Sequence, residues 1–169
     1  MDIRQALRAA GVAAVTGGLA RLAAPFADRL GAAGAQIAYL VIDIALTLGL
    51  IGLYARYART TGRIGLAAFA VAVAGVLTVR SQGVIPGGYL TGAAVWSLGL
   101  AALGLRLLFV RGGPRLAPAL WLLAVPAGLA GALGVVVAGS LFALGYMAGG
   151  LGLLRESKSD SMSGTPHGT

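Results

Sequence analysis

Asp43 is the only acid inside any of the long apolar stretches of this chain, and it lies within Gln36–Tyr54, QIAYLVIDIALTLGLIGLY. A helix turns about 100° per residue, so Gln36, Tyr39, Asp43, Thr47 and Tyr54 fall within roughly 80° of one another. A carboxylate on such a stripe can carry a proton, hold a cationic group of a solute, or pair with a basic side chain. Left alone at mid-bilayer, a charge costs ~2.5–3.5 kcal/mol on insertion scales. Arg21, at a similar depth in the preceding apolar stretch, would neutralise it through charge-assisted hydrogen bonds, and Arg80 is a second candidate cation. Three readings of that cluster stand side by side, one of them that Asp43 is protonated or reaches water without a specific role. A structural ion pair would fix how two helices dock, with Tyr39 and Thr47 taking up the remaining hydrogen-bonding capacity. A proton-relay or substrate site would use the same groups.

The chemistry that is missing narrows the field. There is no cysteine and the single histidine is His167, near the C-terminus, which leaves no thiolate, imidazole pair or metal-ligand cluster inside the apolar part. No H-E-x-x-H, G-x-S-x-G, phosphate-binding loop or dinucleotide fingerprint occurs. With one intramembrane acid, a two-carboxylate mechanism has no second partner. No catalytic residue, metal site or cofactor is expected, and the chain reads as a non-enzyme.

The elements that must position Asp43 follow from composition. Of 169 residues 58% are hydrophobic, 28 are glycine and 11% are charged, against ~25% charged in a soluble domain. The apolar runs approach twenty residues without a polar face, the pattern of helices solvated by lipid. The expected fold is all-α and integral to the membrane: about six transmembrane helices over 1–155, arranged as three antiparallel hairpins, then a disordered polar tail over 156–169. The spans are expected near 9–27, 35–55, 64–79, 89–110, 117–133 and 138–154. The last two are separated because an uncharged run from Leu116 to Leu154 would be nearly twice too long for one crossing. Gly134 to Gly139 is the expected turn, and Pro126, mid-way along the fifth span, should kink it or leave a carbonyl free. The first span has two faces, with Val12, Val15, Leu19, Leu22 and Phe26 on one and Ala10, Ala14, Gly17 and Arg21 on the other. As a crossing helix it would turn the small face and Arg21 into the bundle; as an amphipathic segment it would lie in the headgroups.

With six spans, ten of the thirteen basic residues fall on the side of both termini and only Arg21, Arg29 and Arg80 on the other. That asymmetry places both termini in the cytoplasm, and the preference for Arg over Lys with the Ala and Gly load points to a bacterial inner membrane. The asymmetry also accounts for the net charge of +8 by topology and lipid headgroups, so no nucleic acid is expected as partner. A Leu-Gly step, a Gly-Leu step and an arginine recur around Leu48 to Arg56, Leu98 to Arg106 and Leu144 to Arg155, as three related hairpins would give. Small-xxx-small pairs at Gly88/Gly92, Gly145/Gly149 and Ala148/Gly152 suit close helix contacts, within the chain, with a second copy or with another membrane protein. Two functions fit: an accessory, scaffold or assembly bundle acting through helix contacts, or a small proton- or solute-coupled transporter using Asp43 and Arg21.

Overall fold

In hydrocarbon every backbone N–H and C=O must find a partner inside the chain, and an uninterrupted apolar sequence does so as helix. The computed structural model describes residues 2–81 and 87–162, without the side chains of 28, 131, 132 and 157–162, and every regular element among them is helical. Five helices occur, α1 (Ile3–Ala23), α2 (Gly31–Arg80), α3 (Gly88–Leu108), α4 (Leu116–Gly128) and α5 (Gly131–Met162), with a 3-10 segment, Ala24–Leu30, after α1. Four stretches are long and apolar enough to cross a membrane: Ile3–Ala27, Gly31–Arg80, Gly88–Leu108 and Leu133–Glu156. α4 is apolar but shorter. This is the architecture of a helical membrane protein.

α2 runs for 50 residues, which as one straight rod would measure ~75 Å, more than twice the ~30 Å hydrocarbon layer. It bends once, at Gly62, whose φ of 61° and ψ of −153° are open to glycine alone. Tyr54 stacks on Phe69 with ring centroids 4.6 Å apart, and Asp43 meets Arg80. Both pairs are symmetric about the Thr61–Gly62 bond, so the limbs 31–61 and 63–80 lie antiparallel. Where the basic stretch from Arg56 to Arg63 reads as a loop, helix continues through Thr61 and resumes at once. Arg106 of α3 donates from Nη2 to the Thr61 carbonyl at 3.4 Å, a cation at the end of the first limb.

Glycine and alanine set the remaining contacts, because small residues let backbones approach where lipid offers no hydrophobic drive between helices. α1 buries Ala10, Gly11, Ala14, Gly17 and Gly18: Gly17 lies against Ala45 and Leu46 of α2, and Gly18 against Met147 and Ala143 of α5. A Cβ on Gly99 of α3 would fall on the Ala72 backbone, Gly104 faces Pro118 of α4, and Gly145 of α5 faces Trp121 of α4. The helical segments therefore close a ring, in which α5 returns to α1. Large side chains such as Val12, Leu19, Ile37, Leu98 and Leu123 are exposed on its outside.

Two expectations shift. The turn between the last apolar segments is at Leu129 and Ala130, where Leu129 N–H donates to Pro126 and Ala130 N–H to Ala127, so Pro126 sits in the last turn of α4 instead of kinking a longer helix. Gly134 and Gly139 belong to α5; Gly134 touches the Ala127 carbonyl so closely that no Cβ would fit. The polar C-terminal residues begin inside a helix, since α5 continues through Glu156 to Met162. Residues 163–169 of the expected tail lie outside the described residues.

Candidate functional site

The first limb of α2 carries Tyr39, Asp43 and Thr47 at intervals of four, which keeps them on one face. That face looks into a cavity of about 450 Å³ at the end of the ring farthest from the bend. Asp43 lies 18 residues before Thr61 and Arg80 18 after Gly62, about 27 Å of helix in each case.

Arg80, the last residue of α2, reaches Asp43 with two donors. Its Nε is 2.6 Å from Oδ2, and Nη2 donates to the same oxygen. Asp43 accordingly sits level with the end of the second limb. The side chains are 25% and 31% exposed, so the pair borders space and is not sealed in a dry interface. Tyr39 donates its hydroxyl to the Ala24 carbonyl at 3.3 Å, tying α2 to the 3-10 segment where α1 ends.

Arg21, in the last turn of α1, lines the same cavity. Its Nη2 is 4.0 Å from where a Cβ of Gly139 would be, and it forms no ion pair with a described residue. The cation expected first for Asp43 is therefore a neighbour across the cavity, and the second candidate is the partner. Thr47 lines the wall; Gln36 is exposed and does not reach the site. Tyr54, on the same sequence stripe, is occupied with Phe69 near the bend.

The opposite wall was not among the expected site residues. Tyr89, Ala93 and Trp96 come from α3, and Gly139, Ser140 and Tyr146 from α5. The spacing of Tyr89, Ala93 and Trp96 is a helix-face signal that the weight given to charged residues passed over. The backbones of α3 and α5 do not come together among the described residues; their aromatic rings bridge the gap instead. Trp96 lies 4.7 Å from Phe142 and 6.4 Å from Tyr146, centroid to centroid, and Tyr146 packs on Trp121 at 5.3 Å. This cluster is the floor of the cavity.

Below that floor the ring is filled. Leu50, Leu53, Leu100, Leu103, Leu107 and Leu153 are each at most 2% exposed. Beyond them Glu156 of α5 accepts from Arg56 Nε at 2.6 Å and from the Tyr57 hydroxyl at 2.9 Å, closing α5 onto α2 beside the bend.

The arrangement can hold a small molecule with an ionic or polar head and an apolar body, beside a carboxylate that borders the cavity. Among the described residues no group of three metal-ligating side chains occurs. No protein-family model, curated protein or solved structure matches this chain.

Proposed function

We propose that this is a non-enzymatic, multi-span protein of the bacterial cytoplasmic membrane that binds a small solute in the cavity around Asp43 and Arg80 and carries it, or a coupled proton, across the bilayer. In this reading the segments α1, the two limbs of α2, α3, α4 and α5 are six crossings in three hairpins, with both termini cytoplasmic. Charge asymmetry supports that orientation. The hairpin arrangement is supported by the common placement of the repeated Leu-Gly glycines: Gly49 on Ala14, Gly99 on Ala72 and Gly145 on Trp121 each contact the preceding segment. The bend with Arg56, Arg59 and Arg63 would then face the cytoplasm and the cavity the periplasm.

The observation that carries the reading is the partial exposure of the Asp43–Arg80 pair onto a cavity of about 450 Å³, a volume in the usual range of ligand sites, ~300–1,000 Å³. A pair that served only to dock helices would be covered. The assembly-bundle reading rests on small-residue faces, minimal loops and the lack of catalytic groups; Gly92, Gly145 and Gly149 make close contacts within the chain, while Gly152 meets nothing within 4 Å.

Cysteine accessibility tests it, since the chain has no native cysteine. Thr47→Cys should react with a membrane-impermeant maleimide from the periplasmic side, and Leu50→Cys, one turn deeper, should not. In proteoliposomes with an imposed pH gradient, Asp43→Asn should lose proton flux while eluting as folded protein. A Thr47→Cys that stays unreactive from both sides, or an Asp43→Asn with wild-type flux, removes the carrier reading.

A further inference from the structure

We infer that the cavity takes an amphiphile with a single oxyanionic head, a carboxylate or phosphate, whose head is held by Arg21. This rests on the reading of the cavity as a solute site and specifies what enters it. Three charged side chains border the cavity: Asp43, Arg80 and Arg21. Arg80 spends Nε and Nη2 on Asp43, and those two charges cancel. Arg21 is left with no acidic partner among the described residues, so the described charges that line the cavity sum to one positive. Arginine within a membrane helix bundle ordinarily pairs with an acid or a carbonyl, and a planar guanidinium matches an oxyanion with two parallel hydrogen bonds.

Space is left for that head. The Arg21 guanidinium lies beside Gly139 of α5, its Nη2 4.0 Å from where a Cβ would be, and next to it Ser140, whose hydroxyl donates to the Val136 carbonyl at 3.0 Å, lines the cavity. The rest of the wall asks for an apolar body. Leu22, Leu46, Val76, Val79, Val135 and Val136 line it, over the aromatic floor of Trp96 and Tyr146. A small hydrophilic anion would leave those surfaces unpartnered, and a neutral lipid would leave Arg21 uncompensated. A membrane phospholipid and a free amphiphilic acid both supply the required chemistry.

The test is equilibrium binding of radiolabelled decanoate to the full chain in neutral detergent, with decanol, decylammonium and inorganic phosphate as competitors, alongside the Thr47→Cys labelling above. Decanoate should bind saturably, and none of the three competitors should displace it at equal concentration. Arg21→Gln should weaken binding at least tenfold and Arg21→Lys by less. Gly139→Leu, which fills the space before Arg21 without changing charge, should weaken it as much as Arg21→Gln, and serves if the latter variant does not fold. Native mass spectrometry separates the sources: an anionic phospholipid retained by the wild type, displaced by decanoate and lost in Gly139→Leu points to a lipid, whereas decanoate binding to lipid-free protein points to a free acid. Equal competition by decanol or by phosphate, or unchanged binding in both Arg21→Gln and Gly139→Leu, overturns the inference. If decanoate fails to bind while Thr47→Cys is labelled, the ligand class is wrong and the cavity reading stands; if Thr47→Cys is unreactive, both fall.

Discussion

The two ends of the helix ring use similar parts and reach opposite results. Each has an arginine paired with an acid and tyrosines close by, Arg80 with Asp43 at one end and Arg56 with Glu156 at the other. Near the bend the inward positions hold Leu53, Leu103, Leu107 and Leu153, each at most 2% exposed. At the far end the corresponding space is bordered by Ala93, Thr47, Gly139 and Ser140, and a cavity remains. The ion pairs therefore do not decide which end is open. Where the inward side chains stand does: leucines occupy the centre near the bend, whereas at the far end Tyr39, Tyr89, Trp96 and Tyr146 stand at the wall beside small residues and the middle is left open.

Substitutions that treat the two ends alike should separate them. Leu100→Ala, in the filled layer at 0% exposure, should destabilise by ~2–5 kcal/mol in detergent unfolding titrations, whereas Val136→Ala, on the cavity rim at 62% exposure, should stay within about 0.5 kcal/mol. Gly145→Ala must push against the Trp121 ring and should lose ~1–3 kcal/mol. Gly139→Ala, six residues earlier on the same helix, meets only the tip of Arg21 and should gain up to ~1 kcal/mol from helix propensity. Asp43→Asn leaves Arg80 without its counter-charge in a half-open site and should destabilise by on the order of 1–2 kcal/mol, below a fully buried pair because water reaches it. Glu156→Gln should have the smallest effect, under ~1 kcal/mol and shrinking in high salt, since its pair with Arg56 is more exposed. Equal losses for Gly145→Ala and Gly139→Ala would mean that where the side chains stand is not what distinguishes the ends.

Much of this was legible from residue type and spacing, and what was not has identifiable causes. The small face of α1 was readable, because Ala10, Ala14, Gly17 and Arg21 share one side; they turn inward while Val12, Leu19 and Phe26 face out. That Asp43 and Thr47 share one face was readable by the same helical spacing, and both line the cavity. The partner of Asp43 was harder to read. Depth matching favoured Arg21, and it assumed a loop of several residues between the second and third apolar stretches. A bend that uses only Gly62 shifts the second limb toward the first and brings Arg80 level with Asp43. Gly134 and Gly139 misled for a related reason: glycine marks both turns and close contacts, and only the folded neighbours tell which. The aromatic wall of Trp96, Phe142 and Tyr146 was hidden because it joins two helices whose backbones never meet, a contact that no local pattern encodes.

The bend at Gly62 also imposes an order on how the chain is made. Asp43 and the arginine that neutralises it are separated by 37 residues, so at roughly 5–20 residues per second of synthesis Arg80 leaves the ribosome about two to seven seconds after Asp43. Throughout that interval the first limb of α2 carries an acid with no counter-charge of its own. Until then the cation on an earlier segment that borders the same cavity is Arg21, so the pairing of Asp43 with Arg80 is made only once the second limb has folded back at Gly62.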